Sequence, residues 1–190
     1  LFDELKFSFE NNQSIEIIFI NDGSSDMSQK VIENEIANHS TWKLINLYRN
    51  YGKSVALQSG IDIASNELIA TLDGDLQDDP KELINLVCEL NEYDVIVGWK
   101  KDRLDPLEKK IASKIFNFFI KLFSGLKIKD SNSGIKVLKK EVAKSLNLYG
   151  GRHRYIPLLA HQKGFNVKEI PVNHRERNFG KSKSGAERYN

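Results

Sequence analysis

Hydrophobic residues fall along this chain in short, branched runs that alternate with stretches of helical spacing. Ile15–Ile20 (IEIIFI), Lys43–Tyr48, Glu67–Leu72 and Asp94–Gly98 read as strands, each ending in a polar segment. Between them the pattern predicts three helices. The first follows Asn21–Asp26 and runs to about Asn38, with Val31, Ile32 and Ile36 at helical spacing and Ser25 or Asp26 as its cap. The second covers Ser54–Ala64. The third is opened by Asp79-Pro80, with proline in the first turn where its missing N–H costs nothing, and runs to about Asn91. Strands separated by helices of this length predict parallel βαβ units with right-handed crossovers. The expected fold class is therefore α/β, a mostly parallel central sheet flanked by helices.

After Gly98 the pattern loosens. A helix is predicted from Asp105-Pro106 to about Ser124, and its apolar positions (Ile111, Ile115, Phe116, Phe119 and Phe123 among them) are more than one core-facing stripe requires. A subunit contact, a lipid-facing surface or a helix covered on two sides would each use that surplus, the last being the most common. Lys129–Gly134 is a polar loop centred on Asp130, followed by a short strand, Ile135–Leu138. Helices near Glu141–Leu148 and His153–Gln162 and a final strand, Val167–Val172, complete the pattern.

Length and composition narrow the picture. The 190 residues suffice for one domain with a sizeable core; residues 1–172 are expected to form it, with 173–190 a basic loop of the same domain. Hydrophobic content of 40% and charged content of 28% are ordinary for a soluble globular protein. A net charge of +2 gives no reason to expect nucleic acid as a partner. The single cysteine, Cys88, rules out an internal disulfide and a multi-cysteine zinc site; within LINLVCEL it is expected to be a packed thiol. No apolar run reaches the roughly 18 residues needed to span a bilayer, and no signal peptide is visible. Leu1–Leu5 reads as the inside of an amphipathic helix, from which we expect the chain to lack a first strand, and a C-terminal extension is open as well.

The chemistry concentrates at strand ends. In Leu68–Gln77 (LIATLDGDLQ) an apolar run breaks into two carboxylates, Asp73 and Asp75, which point the same way if the strand geometry persists. Like charges that close call for a cation between them, and Gln77 adds a neutral oxygen on the same side. Mg²⁺ or Mn²⁺ suits such an all-oxygen set completed by substrate phosphates. A solvated acidic turn is the plain alternative. Asp22, after the first strand, is placed to meet a base N–H or a ribose hydroxyl, although a turn aspartate bonding its own backbone is common. Asp130 is the third acid of this kind. Cations come from Arg103 and from the tail, where Arg177, Lys181, Ser182 and Lys183 read as a phosphate clamp. GxGxxG after a strand and GxxxxGK[ST] are both missing, and His39, His153, His161 and His174 show no zinc spacing. A phosphatase with an aspartate nucleophile also carries Asp-x-Asp at a strand end, but Gln77 stands where such enzymes want Thr or Val.

Seven segments then occur in order: NDGSSD (Asn21–Asp26), RNYGKSVALQSGI (Arg49–Ile61), DGDLQDDP (Asp73–Pro80), VGWKKDRLDP (Val97–Pro106), DSNSGIK (Asp130–Lys136), HRYIP (His153–Pro157) and NHRERNFGKSKSG (Asn173–Gly185). The chain resembles family-2 glycosyltransferases of the GT-A (Rossmann-like) fold. Within them it is most similar to the polyprenyl-phosphate branch that includes dolichol-phosphate mannose synthases and bacterial undecaprenyl-phosphate glycosyltransferases. The resemblance implies that Asp22 contacts the nucleotide base and Asp73 the ribose or sugar-phosphate. It makes Asp75 and Gln77 metal ligands, sets Arg103 at the acceptor phosphate and Asp130 beside the acceptor, and brings Arg177, Lys181 and Lys183 to the phosphates. The family's opening strand, with its Tyr-Asn-Glu type ending, has no counterpart here.

The expected activity is a metal-dependent, inverting sugar transfer from a nucleotide-diphosphate sugar to a polyprenyl phosphate, with Asp130 and Asp75 as the catalytic pair. Transfer to a saccharide hydroxyl and a non-catalytic nucleotide-sugar binding module are the alternatives. A lipid acceptor would set the protein at the cytoplasmic face of a membrane, against an anionic surface, with a homo-oligomer open.

Overall fold

The computed structural model describes residues 1–9, 12, 14–100, 124–126, 128–173 and 175. In chain order the elements are α1 (Phe2–Phe9), β1 (Ile17–Asn21), α2 (Ser28–Ile36), β2 (Trp42–Asn46), α3 (Lys53–Ile63), β3 (Leu68–Thr71), α4 (Glu82–Cys88), β4 (Val95–Lys100), β5 (Lys136–Lys139), α5 (Lys140–Ser145), a 3₁₀ turn (Arg152–Tyr155), α6 (Ile156–Gln162) and β6 (Val167–Val172). β6 has the bounds read from the sequence, and the other predicted strands shift by one or two residues. The helix expected at His153–Gln162 divides into the 3₁₀ turn and α6, whose second residue is Pro157. The helix predicted from Asp105 lies outside the described residues up to residue 123.

The strands form two sheets. β1 and β2 pair in parallel, and the second sheet has the order β3-β5-β4-β6. β5 is antiparallel to both β3 and β4, while β4 and β6 are parallel. β3, β4 and β6 therefore run one way and β5 alone is reversed. The reversal matters for function: it brings the loop before β5, not the one after it, to the edge where β3 ends.

Period-two alternation divides the second sheet's faces. Ile69, Leu138, Val95 and Val97 join Ile61, Val142, Leu146, Ile156 and Ala160 in one core beneath α3, α5 and α6. Val137 and Ile96 pack on the other face against Leu83, Leu86 and Leu90 around α4. That use of α4 corrects the expectation for Cys88, which is exposed: the helix buries Leu83 and Leu86, and the thiol falls on its other side. α1 covers the first sheet through Phe2, whose ring meets Phe19 at 5.3 Å and Trp42 at 6.5 Å.

Glu16 ties the start of β1 to the chain ahead of β3. Its carboxylate accepts hydrogen bonds from Ser65 N–H (2.5 Å), the Ser65 hydroxyl (2.9 Å) and Lys43 Nζ (2.8 Å). Burial raises its pKa, but the Lys43 ammonium and these donors outweigh it and hold the group at about 2. A carboxylate depressed in this way stabilises the fold above its unfolded pKa of about 4.5 and loses that contribution as pH falls through about 2. Denaturant titrations from pH 7 to pH 2 should show a shallower acid loss of stability in Glu16→Gln than in the native chain.

Candidate active site

The site begins with Asn21, the buried last residue of β1. Its side-chain amide donates to Asn46 Oδ1 (3.1 Å) and its Oδ1 accepts from Ser24 N–H (3.0 Å), which fixes the NDGSS turn. Gly23 makes the next contact possible. Its φ is +68°, and a Cβ there would lie 2.3 Å from the Arg49 carbonyl carbon, so the turn presses directly on the 49–52 backbone. Asp22 then reaches across: Oδ1 accepts from Tyr51 N–H (2.7 Å) and Oδ2 from Gly52 N–H (2.9 Å). These bonds clamp the loop that starts α3.

Lys53, the first residue of α3, extends from that clamped loop to Asp73, with Nζ 2.5 Å from Oδ1. On its other side Asp73 lies against Gly134. A Cβ at Gly134 would stand 2.5 Å from Asp73 Oδ2, so only glycine leaves room for the carboxylate. The Gly134 carbonyl accepts from the Thr71 hydroxyl (2.7 Å), and Ile135 C=O accepts from Gly98 N–H (3.0 Å). The loop before β5 is thereby strapped to the ends of both its neighbours.

The acidic pair departs from the geometry expected of it. β3 stops at Thr71, residues 74–75 form a turn and Leu76 has φ +63°, so Asp73 and Asp75 do not extend one strand face. Asp78, further along, is buried. Asp75 and Gln77 stay half-buried and adjacent, with Gln77 N–H 3.3 Å from Asp75 Oδ1. Gln77 C=O accepts from Arg175 N–H (3.0 Å), while the Arg175 guanidinium binds Glu4 on α1 (2.5 Å) and Asp79. The chain leaving β6 is thus fastened to the acidic loop.

Asp130 is buried, and its N–H donates to Glu169 Oε1 on β6 (2.7 Å). Glu169 also accepts from Lys129 N–H; burial raises its pKa, against the lowering effect of these two amides. His153 lies beside the Asp73 cluster, with Nδ1 2.9 Å from the buried Ser54 hydroxyl, which in turn accepts from His153 N–H (3.0 Å). The Ser54 hydroxyl and Nδ1 share this hydrogen bond, and the imidazole tautomer sets its direction. Burial, then Lys53, Arg154 and Lys136, press the imidazole down to about 4 despite Asp73.

Of the residues singled out from the sequence, the structure links Asp22, Asp73 and Asp130 through shared loops, and it sets Asp75 and Gln77 next to each other on the same turn. Arg103, Arg177, Lys181, Ser182 and Lys183 lie outside the described residues. Lys53, Lys136, His153, Glu169 and Arg175 escaped the sequence reading as site residues. Four of these five fall inside or beside the quoted segments, and Glu169 is a lone acid in an apolar strand. Among the described residues no three His, Cys, Asp or Glu side chains form a group able to hold a metal. Asp75 and Gln77 together fit a different arrangement, in which a hard cation takes one or two protein oxygens and the rest of its ligands from phosphates.

A sequence model described as Glycosyl transferase family 2 matches residues 5–146. The chain is 36% identical over 179 residues to a dodecaprenyl-phosphate galacturonate synthase from Rhizobium johnstonii, covering 91% of this chain and 53% of that protein. It is 37% identical over 172 residues to an undecaprenyl-phosphate 4-deoxy-4-formamido-L-arabinose transferase from Salmonella paratyphi B, covering 88% and 52% respectively. The chain spans about half the length of these curated relatives. Among solved structures it shares its fold with a mannosyltransferase from Pyrobaculum calidifontis in complex with GDP-Man and Mn²⁺ (TM-score 0.67, 14% identity, 92% of this chain and 51% of that one). It shares it also with glucosyl-3-phosphoglycerate synthase from Mycobacterium tuberculosis in complex with UDP (TM-score 0.71, 14% identity, 95% and 68%). The GT-A fold anticipated from the sequence is the fold observed.

The His153 setting has a direct check. An imidazole held near 4 stays neutral through the range where an ordinary histidine titrates, and its depressed pKa removes stability as pH falls from about 6.5 through about 4. In NMR titrations the His153 ring signals should stay constant between pH 8 and pH 5, while Lys53→Met, which removes the cation that presses most strongly on the ring, should move its titration upward.

Proposed function

The chain belongs to glycosyl transferase family 2, and on that premise we propose that it transfers a sugar from a nucleotide-diphosphate sugar to a polyprenyl phosphate, with inversion at the anomeric carbon. One observation carries the reading: the segments that follow β2 and β3 and the loop that precedes β5 meet around Asp73, with Lys53 and Gly134 on its two sides. Ligands of open α/β sheets bind at such an edge, outside the carboxyl ends of parallel strands. The polyprenyl-phosphate names of the two curated relatives support the acceptor.

The residues divide the work by their chemistry. Asp22, through its clamp on Tyr51 and Gly52, shapes the wall that would receive the base and ribose. Asp75 and Gln77 would hold Mg²⁺ or Mn²⁺, and a bound cation supplies positive charge for the diphosphate leaving group. Lys53 is placed to move from Asp73 to a phosphate oxygen, and Arg103, Arg177, Lys181, Ser182 and Lys183 would add donors to the phosphates. The acceptor oxygen attacks the anomeric carbon opposite the departing diphosphate; a phosphate oxygen is anionic at neutral pH and needs no strong base. Asp130 then orients the acceptor and steadies positive charge on the sugar ring.

A polyprenyl phosphate lies in a membrane, which sets the working position at an anionic membrane surface on its cytoplasmic side. The basic residues of 173–190 suit that contact. No helix among the described residues is long and apolar enough to cross a membrane.

Two measurements test the assignment. UDP or GDP at a hundredfold excess over its Kd should raise the melting temperature by about 5–10 °C with Mn²⁺, and the shift should vanish in Asp75→Ala. No response to any nucleoside diphosphate would refute the donor reading. In transfer assays with a polyprenyl phosphate, Asp130→Asn should lower kcat by only about tenfold; a loss beyond about 10³ would mean that Asp130 removes a proton from a hydroxyl acceptor instead.

A further inference from the structure

Of the seven segments that carry the family resemblance, HRYIP (His153–Pro157) alone supplies no residue to donor, cation or acceptor in the transferase reading. In the structure it completes the 3₁₀ turn Arg152–Tyr155 and opens α6. α6 anchors the turn at one end, because Ile156 and Ala160 lie in the same core as Ile61 of α3. The polar residues of the turn then bond to two different parts of the site.

His153 bonds to the start of α3. Its Nδ1 shares a hydrogen bond with the Ser54 hydroxyl (2.9 Å), and its N–H donates to the same oxygen (3.0 Å). Ser54 directly follows Lys53, whose Nζ stands 2.5 Å from Asp73. Arg154 bonds to the loop before β5: its carbonyl accepts from the Ser131 hydroxyl (2.6 Å). Ser131 directly follows Asp130, in the loop whose Gly134 lies against Asp73.

These contacts close a circuit. It passes from Lys53 along the chain to Ser54, across to His153, on to Arg154 and across to Ser131. From there it follows the loop to Gly134, crosses to Asp73 and returns to Lys53. The crossings differ in strength. The side chains of Lys53 and Asp73 are 39% and 34% exposed, and water screens their attraction. Ser54 and Ser131 are 1% and 2% exposed, so a hydroxyl that lost its partner there would have little water to turn to.

We propose that the turn Arg152–Tyr155 is the spacer of the active site: His153, through Ser54, and the Arg154 carbonyl, through Ser131, hold the start of α3 and the Asp130 loop at one fixed separation. His153 is therefore a positioning residue, acting through Ser54 and the turn and not by proton transfer. The assignment deepens the transferase reading and rests on it only for what the separation serves, Lys53 at the donor phosphates and Asp130 beside the acceptor. A displaced reacting group slows the chemical step more than it weakens binding.

Amide exchange on the metal-free protein in EDTA tests the link without donor, cation or acceptor. His153→Leu keeps the backbone N–H and much of the apolar bulk but loses the Nδ1 bond. It should speed exchange at Lys129, Asp130 and Ser133, whose N–H groups are all hydrogen-bonded, by about tenfold, with α4 unchanged. Ser131→Ala, which cuts the other crossing, should speed exchange at the His153 N–H by about the same factor. His153→Asn sets an amide oxygen where Nδ1 stands and should hold all of these rates within about twofold of native. Unchanged exchange at Lys129, Asp130 and Ser133 in His153→Leu, an equal acceleration in α4, or asparagine no better than leucine overturns the proposal. If His153→Leu does not fold, Ser131→Ala decides: faster exchange at His153 supports the spacer and unchanged exchange overturns it. In transfer assays His153→Leu should lower kcat about tenfold with the donor KM within about twofold, and His153→Asn should recover most of the loss although it cannot relay a proton. Full kcat in His153→Leu overturns the positioning role. A native protein inactive with every nucleotide sugar would remove the transferase reading and leave the exchange comparison to judge the spacer alone.

Discussion

The site depends on one strand running backwards. Had β5 followed its neighbours, the loop before it would open on the far edge of the sheet, and Asp73 would lose its contact with Gly134. Reversed, β5 lays Gly134 against the Asp73 carboxylate at a distance no other residue permits, and it carries Asp130 and Lys136 to the same edge. Three short contacts keep this arrangement: the Thr71 hydroxyl on Gly134, Gly98 N–H on Ile135, and the Asp130 amide on Glu169. Each uses a backbone group, so the geometry tolerates exchange of many side chains but little displacement of the chain.

Main-chain amides also decide what the acids can do. Asp22 spends both oxygens on Tyr51 and Gly52, which makes it a brace for the α3 loop before it is a ligand for anything else. Glu169 does the same for the Asp130 loop. Carboxylates that brace loops in this way shape a cavity without competing for its contents. Asp75 and Gln77 are half-buried on their turn.

Much of this was legible in the sequence, and the rest was not for definite reasons. Alternation of strands and helices gave the α/β class, and β6 could be bounded because Val167–Val172 is flanked by polar residues. The three acidic loops were visible because each interrupts an apolar run. Strand order was not visible: nothing in Lys136–Lys139 says that it inserts between β3 and β4, since a four-residue strand reads alike in either direction. Lys136 was missed for that reason, because a lysine at the first position of a strand reads as solvated until both its neighbours are known. The shared strand face of Asp73 and Asp75 depended on the strand persisting, and it stops at Thr71 ahead of a turn with a left-handed residue. Cys88 was misplaced since LINLVCEL offers more apolar positions than α4 buries.

Lys53 and Lys136 differ in how the fold holds them. An exposed pair such as Lys53–Asp73 contributes little to stability, on the order of 0–1 kcal/mol, because water screens it and both side chains lose freedom in forming it. That weakness is useful: a phosphate or a metal can take over either partner at small cost, and the lysine stays tethered to α3 within reach. Lys136, buried at the start of β5, has no such exchange open to it, because its ammonium is shut away from water. The site accordingly divides into a fixed floor, set by β5, and a rim whose contacts can be traded for those of a substrate. Binding then has to reorganise only the rim, and the ordering of the floor is met once, during folding.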